Sequence, residues 1–334
     1  MPPVPLILDV DTGVDDALAL VYAVASPEVE LVAVTCVAGN VPLDMVTRNT
    51  LAVLEAAGRG DVEVAAGAHA PLVEEPRPAF EVHGPEGLGK AVVPDPRSAP
   101  SARGAVDVLI EEARRRPGEI LFVSTGPLTN VALAIRKEPH LPELLRGYAL
   151  MAGAFAGTGN TLPRSEANVW FDPEAAAEVF AAFQGHEPLP LAIGLDVTER
   201  VVLSPAGLER IAASAPDSAL ARLLVDATRF YMEFQSEARP DVDGCFLHDP
   251  LAVAAAIDPA LVTTMPAHVE VELEGRHTRG ETVADFQRLW RHPLNARYGL
   301  TEAADNVQAA LEVDEEALVG RFEGRLRDLV GSLA

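Results

Sequence analysis

Residues Leu6 to Leu20 read LILDVDTGVDDALAL. Leu6, Ile7 and Leu8 make a short apolar run of strand length, while Asp15 to Ala25 (DDALALVYAVA) has the length and composition of a helix. A strand that is apolar at consecutive positions is covered on both faces, as strands are in a parallel sheet layered by helices. Asp9, Asp11, Asp15 and Asp16 crowd the junction between the two elements. In an open parallel α/β sheet this is where ligands bind, outside the carboxyl ends of the strands.

The same alternation continues outward from this segment. Glu30 to Val37 (ELVAVTCV) reads as a second strand, Leu43 to Ala57 as a helix and Val62 to Ala65 as a short strand. Ile120 to Ser124 is a strand whose Thr125-Gly126-Pro127 turn opens a helix, with proline near its first turn. Tyr148 to Met151 and Leu189 to Leu195 are further strands, Pro173 to Phe183 and Ser218 to Gln235 further helices. Ala267 to Leu273 (AHVEVEL) has period two, which predicts an antiparallel edge strand wetted on one side. The expected fold class is therefore α/β: a Rossmann-like, mostly parallel sheet with helices on both faces and a small antiparallel addition near the C-terminal third. Two polar stretches, about Pro71 to Pro100 and Ser236 to Gly244, read as long loops rather than linkers, so residues 1–334 are expected to form a single domain.

Composition excludes several partners. The 334 residues carry 50 acidic and 26 basic side chains, a formal charge of −24, with 49% hydrophobic residues. So apolar a chain folds, and so acidic a surface does not bind nucleic acid, which needs clustered Lys and Arg; lysine is limited to Lys90 and Lys137. No apolar run reaches the roughly 20 residues that span a bilayer, and the N-terminus lacks a basic region, so neither a membrane nor a leader segment is expected. Cys36 and Cys245 are too few for a disulfide or zinc framework, and a reducing, cytoplasmic setting follows.

Four close carboxylates repel one another unless a cation neutralises them, and oxygen-only donors favour a hard ion such as Ca²⁺ or Mg²⁺. Asp15 and Asp16 alone would be explained by the helix dipole, but acids alternating at the end of a buried strand, Asp9 and Asp11, have no packing value. A Mg²⁺ phosphohydrolase would place a cationic clamp beside these acids, and the first motif contains none.

DVDTGVDDALAL resembles the N-terminal signature of the calcium-dependent nucleoside hydrolases of the inosine-uridine preferring type. Further segments match in order along nearly the whole chain: VAGNV (37–41), HGPEGLG (83–89), STGPLTNVA (124–132), GNTLPRSEAN (159–168), DPEAAAEV (172–179), LHDPLAV (247–253) and TRGETVAD (278–285). The resemblance implies hydrolysis of the N-glycosidic bond of ribonucleosides to base and ribose, through an oxocarbenium-like transition state. It implies one Ca²⁺ held by Asp11, Asp16, the Thr125 carbonyl and Asp249, with Asp11 also the general base toward the attacking water. Asp15, Asn40, Met151, Asn160, Glu166 and Asn168 match ribose-binding positions, with Asp249 shared between ion and sugar and Asp9 behind the ligands. His248 matches a histidine that protonates or contacts the departing base, and an ordinary imidazole pKa suits that task. His83, in a glycine-rich segment, is expected to close over the substrate. Phe230, Tyr231 and Phe234 on the long helix are candidates to stack on the base.

Two positions depart from the family pattern: Ala167 stands where an aromatic often lies between Glu166 and Asn168, and Thr12 where a proline often follows Asp11. The first opens space near the sugar's 5′ end and leaves specificity undefined. A restricted leaving group (a pyrimidine or nicotinamide) and a non-catalytic nucleoside-binding protein are the alternatives. The resemblance also implies a homodimer or homotetramer.

Overall fold

The computed structural model describes residues 2–293, 295 and 303–333. Eleven strands occur among them: β1 (Val4–Val10), β2 (Val29–Cys36), β3 (Glu63–Ala66), β4 (Leu121–Ser124), β5 (Gly147–Met151), β6 (Leu191–Ile193), β7 (Val202–Leu203), β8 (Cys245–Phe246), β9 (Val262–Val271), β10 (Thr282–Asp285) and β11 (Val307–Val313). The helices are α1 (Val14–Val24), α2 (Leu43–Ala56), α3 (Phe80–His83), α4 (Ala105–Arg115), α5 (Thr129–Lys137), α6 (Leu141–Leu144), α7 (Ala167–Phe171), α8 (Pro173–Ala182), α9 (Leu195–Thr198), α10 (Pro205–Ala212), α11 (Ala219–Ala238), α12 (His248–Ile257) and α13 (Glu315–Ser332).

Nine strands form one sheet in the order β10-β9-β11-β6-β5-β4-β1-β2-β3. From β3 to β11 all neighbours are parallel, and β9 and β10 add antiparallel strands at the far side. The Rossmann-like arrangement is the expected one, including the small antiparallel addition. The period-two segment, however, is not at the edge: β9 pairs with both β11 and β10, and β10 takes the outer position. Alternation reports one wetted face, and it is silent on whether both strand sides are hydrogen-bonded.

The central strand explains its own composition. Leu6, Leu8 and Val10 pack into a core containing Tyr22, Leu247 and Phe322, whereas Ile7 points into the opposite core with Phe122, Tyr148 and Phe180. Both sides of β1 are thus buried, as a near-continuous apolar run requires. Sequence-adjacent β1, β2 and β3 run outward on one side, then the chain returns to place β4 on the other side of β1. The β1/β4 boundary is therefore a topological switch point, where the crossover loops diverge and leave a crevice at the strand ends.

Candidate active site

Asp9 is the penultimate residue of β1, and Asp11 follows the strand. Gly13 then caps α1, donating its N–H to Asp16 Oδ2 at 3.0 Å, so the acid in the first helical turn fixes the entry of the chain. Asp16 Oδ1 accepts from Thr125 Oγ1 at 2.7 Å and from the Asp11 N–H at 3.3 Å, tying the end of β4 to the end of β1. Asp249 comes from the first turn of α12. Single carboxylate oxygens of Asp15, Asp16 and Asp249 lie within 4.8 Å of one another, all three side chains being buried. Asp11 borders the same cavity, with one oxygen accepting from the Asn40 N–H at 2.7 Å.

A buried cluster of this kind can coordinate a divalent metal. Its donors are oxygens alone, and Asp11 Oδ1 and Asp9 Oδ2 are buried without a hydrogen-bond partner. An unpaired buried carboxylate oxygen is costly, and a hard cation removes that cost. The residues present fit such an ion. Relative to the expected ligand set, the structure draws Asp15 into the tightest trio, while Asp11 leans on Asn40. The Thr125 carbonyl accepts from Asn168 Nδ2 at 2.7 Å, which leaves it a second lone pair.

Electrostatics follow from this crowding. Burial, opposed by hydrogen bonds from Thr35 and Asn130, raises Asp9 to about 7. Asp15 rises to about 6, again by burial. Burial together with the neighbouring acids holds Asp11 and Asp249 well above the usual carboxylate range. Burial likewise raises Glu166, against three backbone N–H groups.

Above the acids the cavity, about 750 Å³, has two unlike walls. One is formed by Tyr231, Phe234 and Gln235 of α11 together with Arg239, Phe246 and His248. Tyr231 and Phe234 therefore reach the cavity, but Phe230 does not border it and lies beneath Lys90 instead, 5.9 Å from Nζ to ring centroid. His248 Nδ1 is hydrogen-bonded to Thr198 Oγ1 at 2.7 Å, and burial lowers the side chain to about 4. The expectation of an ordinary imidazole pKa is corrected accordingly: desolvation keeps this ring neutral near pH 7. His83 borders the cavity as well. The glycine-rich stretch is entered by a turn of helix, and His83 is buried at its end, with Nδ1 accepting from the Val14 N–H at 3.2 Å. Its ring stacks on Tyr231.

The other wall holds Asn160, Glu166 and Asn168. Glu166 caps α7, accepting from the N–H groups of Asn168, Val169 and Gly153 at 2.8, 3.1 and 3.0 Å. Asn160 Oδ1 accepts from the Ala167 N–H, and Asn168 Nδ2 spans the Thr125 and Met151 carbonyls at 2.7 and 3.0 Å. Met151 and Asn40 border the cavity, while Asp9 lies wholly buried behind it.

Several contributors escaped sequence reasoning. Asn130 donates from Nδ2 to Asp9 Oδ1 and the Cys36 carbonyl, at 2.8 and 2.9 Å, and accepts from the Ala68 N–H. It lies within the STGPLTNVA match, so the signal was there without a role attached. Thr198 carried no signal of spacing or motif; nor did Arg77 and Trp170, which border the cavity without touching the clustered aspartates or His248 in any hydrogen bond or ion pair among the described residues.

Comparison with known proteins places the chain in a family. The family model described as "Inosine-uridine preferring nucleoside hydrolase" matches residues 6–320. A pyrimidine-specific ribonucleoside hydrolase, RihA, from Klebsiella pneumoniae is 38% identical over 323 residues, covering 96% of this chain and 98% of that protein. Among solved structures, a purine-preferring ribonucleoside hydrolase from Gardnerella vaginalis superimposes with a TM-score of 0.89 at 34% identity, covering 98% of this chain and 99% of that one. A plant nucleoside hydrolase, PpNRh1, does so with a TM-score of 0.87 at 34% identity, covering 97% and 99%. The chain belongs to the inosine-uridine preferring nucleoside hydrolase family and is a nucleoside N-glycosidase.

Proposed function

We propose that this family member is a Ca²⁺-dependent hydrolase of pyrimidine ribonucleosides, releasing the base and ribose. The observation that carries the chemistry is the convergence of Asp15, Asp16 and Asp249 within 4.8 Å beside the unpaired Asp11 oxygen, at the switch point of the sheet. The narrower leaving group is supported by the pyrimidine-specific relatives at 38% identity over almost the whole chain. That support favours the restricted alternative over a broad ribonucleoside preference.

Asp11, Asp16, Asp249 and the Thr125 carbonyl would hold the ion. When bound, a hard divalent cation supplies positive charge against the ribose diol and the attacking water. Asp11 accepts the proton of that water, since its Oδ1 has no other partner. Asp15 and Asn168 orient the 2′- and 3′-hydroxyls, and Glu166 with Asn160 steadies the 5′ side. As the C1′–N bond breaks, positive charge develops on the ring, and the surrounding carboxylates stabilise it. His248 meets the departing base. The Thr198 hydroxyl can donate to Nδ1, and in that tautomer the neutral imidazole carries its proton on Nε2 and donates a hydrogen bond without being an imidazolium.

The test is base release from uridine, cytidine, inosine and adenosine, with calcium chloride and with a strong chelator. Uridine and cytidine should be cleaved fastest, and chelation should abolish release. Failure to cleave any of the four by metal-replete protein would overturn the hydrolase reading; faster purine release would overturn only the pyrimidine preference.

A further inference from the structure

The cavity continues past the groups that this reaction uses. Its volume, about 750 Å³, lies in the upper part of the range of about 300–1,000 Å³ seen for pockets that hold whole drug-sized ligands. The ribose ring fixes what lies where. C1′, which bears the base, and C4′, which bears the 5′ carbon, flank the ring oxygen, and the diol occupies the opposite edge. With the diol on the acids and the base against Tyr231 and His248, the 5′ carbon is directed at the remaining wall.

That wall carries a guanidinium. Arg77 lies over the ring of Trp170, 4.9 Å from Cζ to centroid, and both border the cavity. Stacking on an aromatic face holds the planar group while leaving its edge free to donate. Its ion-pair partner is Glu74, at 3.3 Å. Glu74 also accepts from Arg279, at 2.9 Å, and Arg279 holds Glu174 as well. Arg77 can therefore turn from Glu74 without stranding a carboxylate, and most of its five N–H donors are uncommitted. The cavity's other arginine is different: Arg239, on the base side, is held by Glu199 at 3.0 Å and by Asp241 at 3.1 Å. Ala167, which also lines the cavity and opens the helix that carries Trp170, contributes only a methyl group.

We propose that Arg77, seated on Trp170, forms a subsite for a phosphate on the ribose 5′ carbon, so that ribonucleoside 5′-monophosphates are substrates alongside nucleosides. The proposal rests on the hydrolase reading above. Its chemistry is unchanged: water forms the new C1′–O bond, the C1′–N bond breaks, the base leaves with a proton from that water, and the phosphate ester stays intact. The product is ribose 5-phosphate, and no further reactant is needed. A forked guanidinium suits phosphate because it donates two parallel hydrogen bonds to a doubly charged group.

The experiment measures kcat/KM with calcium chloride present for uridine against uridine 5′-monophosphate, and for inosine against inosine 5′-monophosphate, with the sugar product identified. Wild-type protein should cleave the monophosphates to ribose 5-phosphate. Arg77→Ala should lower kcat/KM for the monophosphates at least about tenfold, mainly through KM, and leave the nucleosides within about twofold. Arg77→Lys, which keeps the charge but loses the fork, should fall between. The proposal is overturned if wild type cleaves nucleosides but not monophosphates, if free ribose appears in place of its phosphate, or if Arg77→Ala lowers both classes equally. Cleavage of neither class would overturn the hydrolase reading and this inference together.

Discussion

Asp9 and Asp11 are two residues apart and equally buried, yet their surroundings set them different tasks. Asp9 Oδ1 accepts from Thr35 Oγ1 at 2.5 Å and Asn130 Nδ2 at 2.8 Å, contacts that anchor it to β2 and α5. Asp11 has one backbone donor on one oxygen and none on the other. Each acid has one oxygen without a partner, but Asp9 is tied down by two side-chain donors and Asp11 by a single backbone N–H, so Asp11 is the less committed to the fold and the cost of burying it is the less offset by protein groups. We expect Asp11→Asn to lower kcat by at least about 10³-fold, within the range of general-base loss. The metal-free variant should at the same time be no less stable than wild type by more than about 1 kcal/mol, because a neutral amide is cheaper to bury than an ion. Denaturant unfolding beside steady-state kinetics reads both. A variant that unfolds several kcal/mol more easily would make Asp11 a structural residue. The candidate acids were legible in the sequence because they stand at a strand end, where neither packing nor propensity favours them. Thr198, which orients His248, was not, because a threonine at the end of one helix gives no hint of a histidine 50 residues on.

At the scale of elements, the site is assembled by three crossover loops that leave adjacent strands. The loop after β1 brings Asp11, the loop after β2 brings Gly39 and Asn40, and the loop after β4 brings Thr125 and Gly126. They approach so closely that two glycines are required by contact. A Cβ on Gly39 would overlap Asp11 Oδ2, and one on Gly126 would stand 2.9 Å from Asp11 Oδ1. Gly39→Ala is thus expected to displace the Asp11 carboxylate, lowering kcat/KM at least tenfold and costing about 1–3 kcal/mol of stability, the usual penalty for overpacking. Gly147→Ala serves as the control, since its Cβ would meet nothing closer than 3.7 Å. Equal effects of the two substitutions would show that crowding on Asp11 is not what selects Gly39. The elements themselves were legible in unequal measure. The buried parallel strands announce themselves as apolar runs bounded by turns, and β1, β2 and β4 were read within a few residues. β7 and β8 are two residues long and exist only through their mutual pairing. The place of β9 depended on β10 and β11, strands remote in sequence whose registers no local pattern encodes.

Over the whole molecule, a charge of −24 divides into a surface laced with ion pairs and a buried acidic centre between the two cores. The sequence allowed the centre to be assembled because family-like segments supplied the long-range correspondences. Composition alone gave only the surface. The two populations of acid respond oppositely to pH. Surface carboxylates such as Glu63 and Asp61, held low by Arg103 and Arg59, titrate below the ordinary range and leave neutral pH untouched. The central acids have folded values above their unfolded ones, with Asp15 at about 6 and Asp9 at about 7 against about 3.9 for a free aspartate. Between about pH 4 and 7 the native metal-free state therefore binds more protons than the unfolded state, so these groups make stability fall as pH rises through that window. His83 and His248, lowered to about 4 by burial, act in the other sense below about pH 6.5, where the unfolded state takes up their protons, and contribute little above it. Above pH 6.5 the acids decide the slope. A divalent cation binds their ionised form, so its stabilising effect must increase as they lose protons. We expect the rise in Tm on adding calcium chloride to chelator-treated protein to be small at pH 5 and several degrees larger at pH 8. The measurement is thermal unfolding at a fixed calcium concentration across that range, with sodium chloride of equal ionic strength as the reference. A gain that is flat with pH, or larger at pH 5, would place the cation away from Asp11, Asp16 and Asp249.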